Sequence, residues 1–259
     1  LETILYTIDG LVARITFNRP AVHNAFNDQM IQELTDVFAE IKGREDVRIV
    51  VLTGEGKSFS AGADINWMRK VKDYSFEENV KNSLKLADLF YLIYSLPKPT
   101  IARVNGAAIG GGTGLVAVCD IAIASSAAKF SFSEVKLGLV PAAISPYVIK
   151  KCGEGRTREF FLTGERLSPE RALLAGLVNQ VVPPQELDKA VDDLVNQLLS
   201  SGPQATGICK DLLRDVPKLS LEEARGYTAR VLAGLRISDE GQEGTMAFLE
   251  KRKPNWSSE

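Results

Sequence analysis

The chain comprises 259 residues and 28.2 kDa, a length expected of one large domain or a domain with an appendage, and too short for several independent ones. With 45% hydrophobic and 25% charged residues, it carries enough apolar material for a sizeable core, which excludes disorder over most of its length. Its 31 lysines and arginines nearly balance 33 aspartates and glutamates, for a net charge of −2, so a nucleic-acid partner would require a local basic patch. Ile4 to Ile8 and Leu11 to Phe17 alternate or run apolar around Asp9-Gly10, the pattern of a hairpin with a two-residue turn. Met30, Ile31, Leu34, Val37, Phe38 and Ile41 recur at helical spacing, and Asn27 or Asp28 offers the cap. Arg48 to Thr53 is a short β-branched apolar run bounded by Gly54 and Gly56, as expected of a strand buried on both faces.

Gly54 to Asp64, rich in glycine, serine and alanine, reads as a loop feeding a helix at Ile65, Trp67 and Met68. Phe76 to Ser95 is again helical in period and is stopped by Pro97 and Pro99. Thr100 to Val104 reads as a strand with Asn105-Gly106 as its turn; a glycine-rich segment then precedes Leu115 to Cys119, and Ile121 to Ala124 is strand-like. Ser168-Pro169-Glu170 starts a helix through Ala175 that Gly176 ends, and Gln180 to Val182 adds a short strand. Beyond Pro184 the pattern is helical over Leu187 to Leu199, Pro203 to Leu213, Leu221 to Leu235 and Glu243 to Lys253. The repeated succession of strand, loop and helix predicts an α/β core of right-handed crossovers over residues 1–197, followed by a helical C-terminal region over 198–259 of a kind that packs on a neighbour.

The longest uncharged apolar stretch, Ala107 to Cys119, is well short of the roughly 18 residues of a membrane span. Leu1 to Tyr6 lacks the basic stretch and apolar run of a secretory leader, so the expected setting is cytoplasmic, or the mitochondrial matrix had a leader been removed. Cys119, Cys152 and Cys209 are odd in number and far apart, which suits neither a disulfide framework nor a zinc site; they are expected to be small core hydrophobes.

Two glycine-bearing loops carry the strongest chemical signal: Ser58 to Asp64, and Asn105 to Gly112. Each follows a strand and opens a helix, where amides lack carbonyl partners and point their partial positive charge outward. In one loop alone, glycines serving turns and tight packing would be a sufficient account; two such loops on consecutive units suit an oxyanion hole. Gly112 to Ala117 formally matches the alanine-ended dinucleotide fingerprint, but it lies mid-chain with Asp120 only six residues after Gly114, not at a first strand-to-helix turn. His23 is the only histidine and follows a turn proline, which disfavours Ser-His-acid hydrolysis and a histidine metal site and predicts a loop-surface position. Acid–base work then falls to carboxylates. Glu134, between short apolar runs, is the candidate, since burial would raise its pKa toward working pH; the alternative is a structural ion pair with Lys136.

In this order, Asn18-Arg19-Pro20 with Asn24-Ala25, Phe59 to Asp64, Val104-Asn105-Gly106 with Gly110-Gly111-Gly112, Cys119-Asp120, Phe130 to Glu134 with Leu137 to Pro141, and Glu243-Gly244 with Phe248 to Arg252 resemble the crotonase superfamily of enoyl-CoA hydratases and isomerases. The resemblance implies repeated ββα units, a helical C-terminal trimerisation region, a homotrimer or a hexamer built of two trimers, and an acyl-CoA thioester as substrate. It implies no metal and no cofactor besides the coenzyme A of the substrate. Carried over by position, the amides of Ala63 and Gly111 would hold the thioester oxygen as it becomes enolate-like, with Glu134 as the catalytic carboxylate. Ala21, Val22 and Asn24 would line the coenzyme A site with Ala61, while Asp64, Ile65 and Gly114 would border the substrate. Phe248 and Lys251 would come from an adjacent subunit, Lys251 meeting a phosphate unless it belongs to a solvated Lys-Arg-Lys run.

One departure bears on the reaction. Two-glutamate hydratases of the family carry an acid on the helix after the glycine triplet; here that position is Gly114. A lone Glu134 can still deprotonate water and return the proton to carbon, and glycine at 114 would leave room for a bulkier acyl group. Gly112 to Leu115 and Leu139 to Tyr147 also look like the branch acting on branched or carboxylated enoyl-CoAs such as methylglutaconyl-CoA. Hydration is therefore the first expectation, Δ3-Δ2 isomerisation through Glu134 as sole proton shuttle the second. An RNA-binding or scaffold role on the same fold is the alternative from another class, but no run of five or six basic residues supports it.

Overall fold

The computed structural model describes residues 1–257 of the chain. β1 (Ile4–Asp9) and β2 (Val12–Phe17) pair antiparallel from Ile4 opposite Phe17 to Asp9 opposite Val12. The two-residue turn is thus Gly10-Leu11, one step later than expected; Gly10, at φ 55°, takes the first central position of a type II′ turn. In α1 (Asp28–Gly43) the side chain of Asn27 accepts from the Met30 amide at 2.9 Å, and all six apolar positions of the helical stripe are buried.

Three consecutive units follow, each a long strand, a three-residue strand and a helix. They are β3 (Ile49–Gly54) and β4 (Ser58–Ser60) with α2 (Ile65–Val71) and α3 (Phe76–Ser95); β5 (Thr100–Val104) and β6 (Ala107–Ile109) with α4 (Gly111–Val118); and β7 (Ile121–Ser125) and β8 (Lys129–Ser131) with a 3-10 turn over Ser133–Leu137 and α5 (Ser145–Thr163). Then come β9 (Arg166–Leu167), α6 (Pro169–Leu174), β10 (Gln180–Val182) and four helices, α7 (Leu187–Leu199), α8 (Pro203–Asp215), α9 (Leu221–Ile237) and α10 (Asp239–Leu249). The junction expected at 197/198 falls inside α7.

The long strands form one sheet in the order β1-β2-β3-β5-β7-β10, parallel except for the first pair. Its central strands β3, β5 and β7 bury both faces, as their largely apolar runs require, whereas the edge strand β1 alternates buried or half-buried positions with exposed ones. Val50, Leu52, Ala102, Val104, Ala122 and Ala124 point to the main core with α1 and α3, while Ile49, Val51, Ile101 and Ile123 meet Leu187, Val191 and Val195 of α7 on the other face. The short strands make a second sheet, β4-β6-β8-β9, with the first three parallel. Sequence patterning does not expose these strands, because three residues span too little for a period of two. It also misses α5, whose pattern is interrupted by charges and by a kink at Gly153, φ 72° and ψ 160°. Cys119 is buried and Cys152 half-buried, but Cys209 is exposed, so only the first two fit the core expected for all three. No helix of the described residues is long and apolar enough to cross a membrane.

Candidate active site

Because β4, β6 and β8 lie side by side and parallel, the segments leaving their C-terminal ends emerge together, about 4.8 Å from strand to strand. These segments are Ala61-Gly62-Ala63, Gly110-Gly111 and Ser133-Glu134. Ligands of parallel α/β sheets bind off the carboxyl ends of strands, and all three segments line one cavity of about 350 Å³.

The orientation of the Ala63 amide follows from its neighbours. Phe26 bridges to Ala63 in parallel fashion, its N–H donating to Gly62 O at 2.6 Å and its carbonyl accepting from the Asp64 N–H at 2.8 Å. In an extended segment successive peptide groups face opposite ways, so the Ala63 N–H faces away from Phe26. Gly111 is the first residue of α4, where an N–H has no intrahelical acceptor. Neither amide has a hydrogen-bond acceptor among the described residues. The two loops are clamped by contacts that only a missing side chain permits: a Cβ on Gly62 would stand 2.8 Å from Ile109 O, and one on Gly112 2.3 Å from Ser60 O. Thr113 completes the clamp, its buried hydroxyl lying 2.6 Å from Ala108 O and 3.0 Å from Ser131 O.

Glu134 sits at the start of the 3-10 turn, its carbonyl accepting from the Leu139 amide at 3.0 Å. Among the described residues its carboxyl forms no ion pair, with Lys136 or any other, and Oε2 is buried without a partner. Burial pushes the carboxyl above the ordinary glutamate range, against a smaller opposing effect of its own backbone amide. Among the described residues Glu134 is the only acidic one lining the cavity; most of the wall is apolar, including Phe26, Trp67, Met68, Leu86, Leu139, Val140 and Ile144. Two free amides and one unpaired carboxyl on an apolar cavity can polarise an oxygen and move a proton beside it.

The remaining residues singled out in the sequence distribute differently. Ala61 lines the cavity. Asn24 is fully buried and spent on the scaffold: its Nδ2 donates to Glu55 O and Ser58 O, and its Oδ1 accepts from the Arg19 amide. Asp64 caps α2 through the amides of Asn66 and Trp67 and pairs with Arg19 at 2.8 Å. Ala21, Val22 and Ile65 are exposed and stand outside the cavity wall, as do Phe248 and Lys251. Gly114 does not border the cavity either. The room expected beside it is filled by Ile144, whose Cγ2 would be 2.1 Å from a Cβ at 114. His23 is exposed as expected, its Nδ1 3.1 Å from Ser58 Oγ. Phe26, Asn82, Leu86 and Ile144 escape the sequence reading; only their helical or turn context marks them, and nothing local signals that they share a cavity.

A family model described as enoyl-CoA hydratase/isomerase matches residues 7–259. A short-chain-enoyl-CoA hydratase of Clostridium acetobutylicum is 33% identical over 98% of this chain and 97% of its own length. A crotonyl-CoA hydratase of Syntrophomonas wolfei is 33% identical over 99% and 98%. The crystal structure of an enoyl-CoA hydratase from Shewanella pealeana superposes with a TM-score of 0.96 at 41% identity, covering 99% of this chain and 96% of that one.

Proposed function

This chain belongs to the enoyl-CoA hydratase/isomerase family, and we propose that it adds water across the double bond of a 2-enoyl-CoA thioester in the cavity formed by Ala63, Gly111 and Glu134. The observation that carries the reading is the meeting, on one cavity wall, of two acceptor-free amides and one buried, unpaired carboxyl. The thioester oxygen accepts from the amides of Ala63 and Gly111. The Glu134 carboxylate takes a proton from water as the water oxygen bonds to C3, and the C2–C3 π pair moves onto the thioester oxygen. The enolate then collapses, and C2 takes the proton back from Glu134. Concentrating donors on the developing charge is worth on the order of 10²–10³ in rate per donor.

Coenzyme A arrives with the substrate, and polarisation by backbone amides leaves no step that requires a separate cofactor. Among the described residues the cavity wall holds no lysine, arginine or histidine, so a carboxylated acyl group would lose its hydration without gaining an ion-pair partner from them. A short uncharged acyl group, as in the names of the Clostridium and Syntrophomonas relatives, suits it better than a methylglutaconyl group. Exposed apolar side chains on the C-terminal helices, among them Ile237 and Phe248, support self-association, with a trimer or a pair of trimers as the proposed assembly.

Glu134 as the only acid at the cavity among the described residues favours a second reading, in which it shuttles one proton from C2 to C4 of a 3-enoyl-CoA. Parallel assays with crotonyl-CoA and 3-hexenoyl-CoA separate the two. Hydration predicts loss of the conjugated thioester absorbance of crotonyl-CoA and little turnover of 3-hexenoyl-CoA; the reverse result would establish isomerisation.

A further inference from the structure

Gly114 and Ile144 share one volume. A Cβ at 114 would meet Cγ2 of Ile144 at 2.1 Å, its Cβ at 3.0 Å and Cζ of Phe90 at 3.4 Å. Of the pair only Ile144 borders the cavity, and it is 2% exposed. Its backbone is fixed where α5 begins, its carbonyl accepting from the amides of Tyr147 and Val148, both at 3.1 Å, and its side chain is enclosed. Phe90 borders the same space over Gly114 and is itself edge-on to Tyr147, with ring centroids 6.3 Å apart. Along α4, Gly114 is three residues beyond the Gly111 amide, a rise of about 4.5 Å.

We propose that Ile144 is the specificity-determining residue of this site: its side chain, seated in the space over Gly114, ends the acyl compartment about one helical turn from the thioester oxygen and limits the substrate to short acyl chains. The proposal rests on the thioester reading above. Ile144 thereby does what a side chain at 114 would otherwise do, so the two positions are coupled.

The test compares wild type, Ile144→Ala and Ile144→Val on crotonyl-CoA and trans-2-octenoyl-CoA, with butyryl-CoA and octanoyl-CoA binding measured by calorimetry. Relieving an obstruction of methylene size is worth on the order of tenfold in kcat/KM. The octenoyl-to-crotonyl ratio is expected to rise about tenfold or more in Ile144→Ala and less, in the same direction, in Ile144→Val. Octanoyl-CoA binding should tighten relative to butyryl-CoA in the same order. Unchanged ratios in both variants, with wild type turning over crotonyl-CoA, would overturn the proposal. If wild type hydrates neither substrate, the hydration reading fails and the calorimetric ratio alone decides on Ile144. If circular dichroism shows Ile144→Ala unfolded, Ile144→Val decides, and an unmoved ratio there counts against the proposal.

Discussion

Gly110 lies directly against Glu134: a Cβ on Gly110 would stand 3.1 Å from Oε1 and 3.5 Å from the carboxyl carbon. Gly110 also has φ 52° and ψ −121°, a conformation that side chains resist, and this turn sets the direction of the Gly111 amide. One backbone position therefore directs the acceptor-free Gly111 amide and borders the unpaired Glu134 carboxyl, the two groups to which oxygen binding and proton transfer are proposed to fall. Gly110→Ala is expected to lower kcat for crotonyl-CoA by about 10²-fold or more, with KM changed less. Steady-state kinetics beside a circular dichroism spectrum checks it.

The Glu134 carboxyl is raised because burial disfavours its anion. Hydration needs that anion to accept a proton from water, so kcat/KM should rise with pH through an apparent pKa above the ordinary glutamate value of 4.5. Glu134→Gln should remove this limb and reduce kcat by roughly 10²–10⁴. The stability sign is the opposite. A carboxyl whose folded pKa exceeds its unfolded one contributes stability below about 4.5 and loses that contribution as pH rises through the folded value. Glu134→Gln should therefore gain in thermal stability relative to wild type between pH 5 and 8, and a melting series across that range measures it.

Much of this architecture is legible in the sequence. The stripe from Met30 to Ile41 and the run from Arg48 to Thr53 each show a period long enough to read, and both elements form with their apolar positions buried. The glycine loops were legible as places where amides go unpaired, because strand-to-helix turns leave them so. What local pattern cannot carry is the pairing of β4, β6 and β8, three residues each. That pairing is what puts Ala63, Gly111 and Glu134 on one cavity. The same limit explains Gly114: its sequence shows a missing side chain, whereas only tertiary packing shows Ile144 in that space.

Asp64 is expected to act on stability rather than on substrate. It is buried, caps α2 and pairs with Arg19 at 2.8 Å, and although burial opposes its charge, the Arg19 guanidinium and the amides of Asn66 and Trp67 hold its carboxyl below the usual range. Asp64→Ala leaves Arg19 largely buried without its counter-charge and should cost about 2–4 kcal/mol. Asp64→Asn, which keeps the cap, should cost less. A depressed pKa contributes stability that is lost as pH falls through the folded value, so the gap between wild type and Asp64→Asn should close in acid, below about pH 4. Denaturant melts at pH 7 and in acid read both effects.

Asp28 ties two walls of the cavity to α1. Its carboxylate accepts from Trp67 Nε1 at 3.1 Å, Asn82 Nδ2 at 3.0 Å and Lys70 Nζ at 3.0 Å, and Trp67 and Asn82 both line the cavity. α2, which carries Trp67 and Lys70, buries no side chain fully, so their bonds to Asp28 add to the partial packing of Trp67 on the core. Hydrogen bonds to a charged group contribute about 1.5–3 kcal/mol. Asp28→Ala is expected to raise KM for crotonyl-CoA on the order of tenfold while kcat changes less, and Asp28→Asn, which keeps an acceptor oxygen, should recover part of it.

Gly112 and Ser60 hold the two glycine loops against each other. A Cβ on Gly112 would lie 2.3 Å from Ser60 O, 3.0 Å from its carbonyl carbon and 3.0 Å from its Cβ. Ser60 cannot retreat, since β4 is registered on β6 with Ser60 opposite Ala108, and its Oγ donates to Asn24 O at 2.8 Å. Adding one methyl must therefore drive the two loops apart. Overpacking of this kind costs about 1–3 kcal/mol, and the same displacement separates the amides of Ala63 and Gly111. Gly112→Ala should lose stability and kcat together. Gly155→Ala is the control: nothing lies within 4 Å of a Cβ there, and the residue sits in α5, so it should gain about 0.5–1 kcal/mol and leave kcat unmoved. Equal behaviour of the two variants in melts and kinetics would mean that the glycine clamp does not set the spacing of the amides.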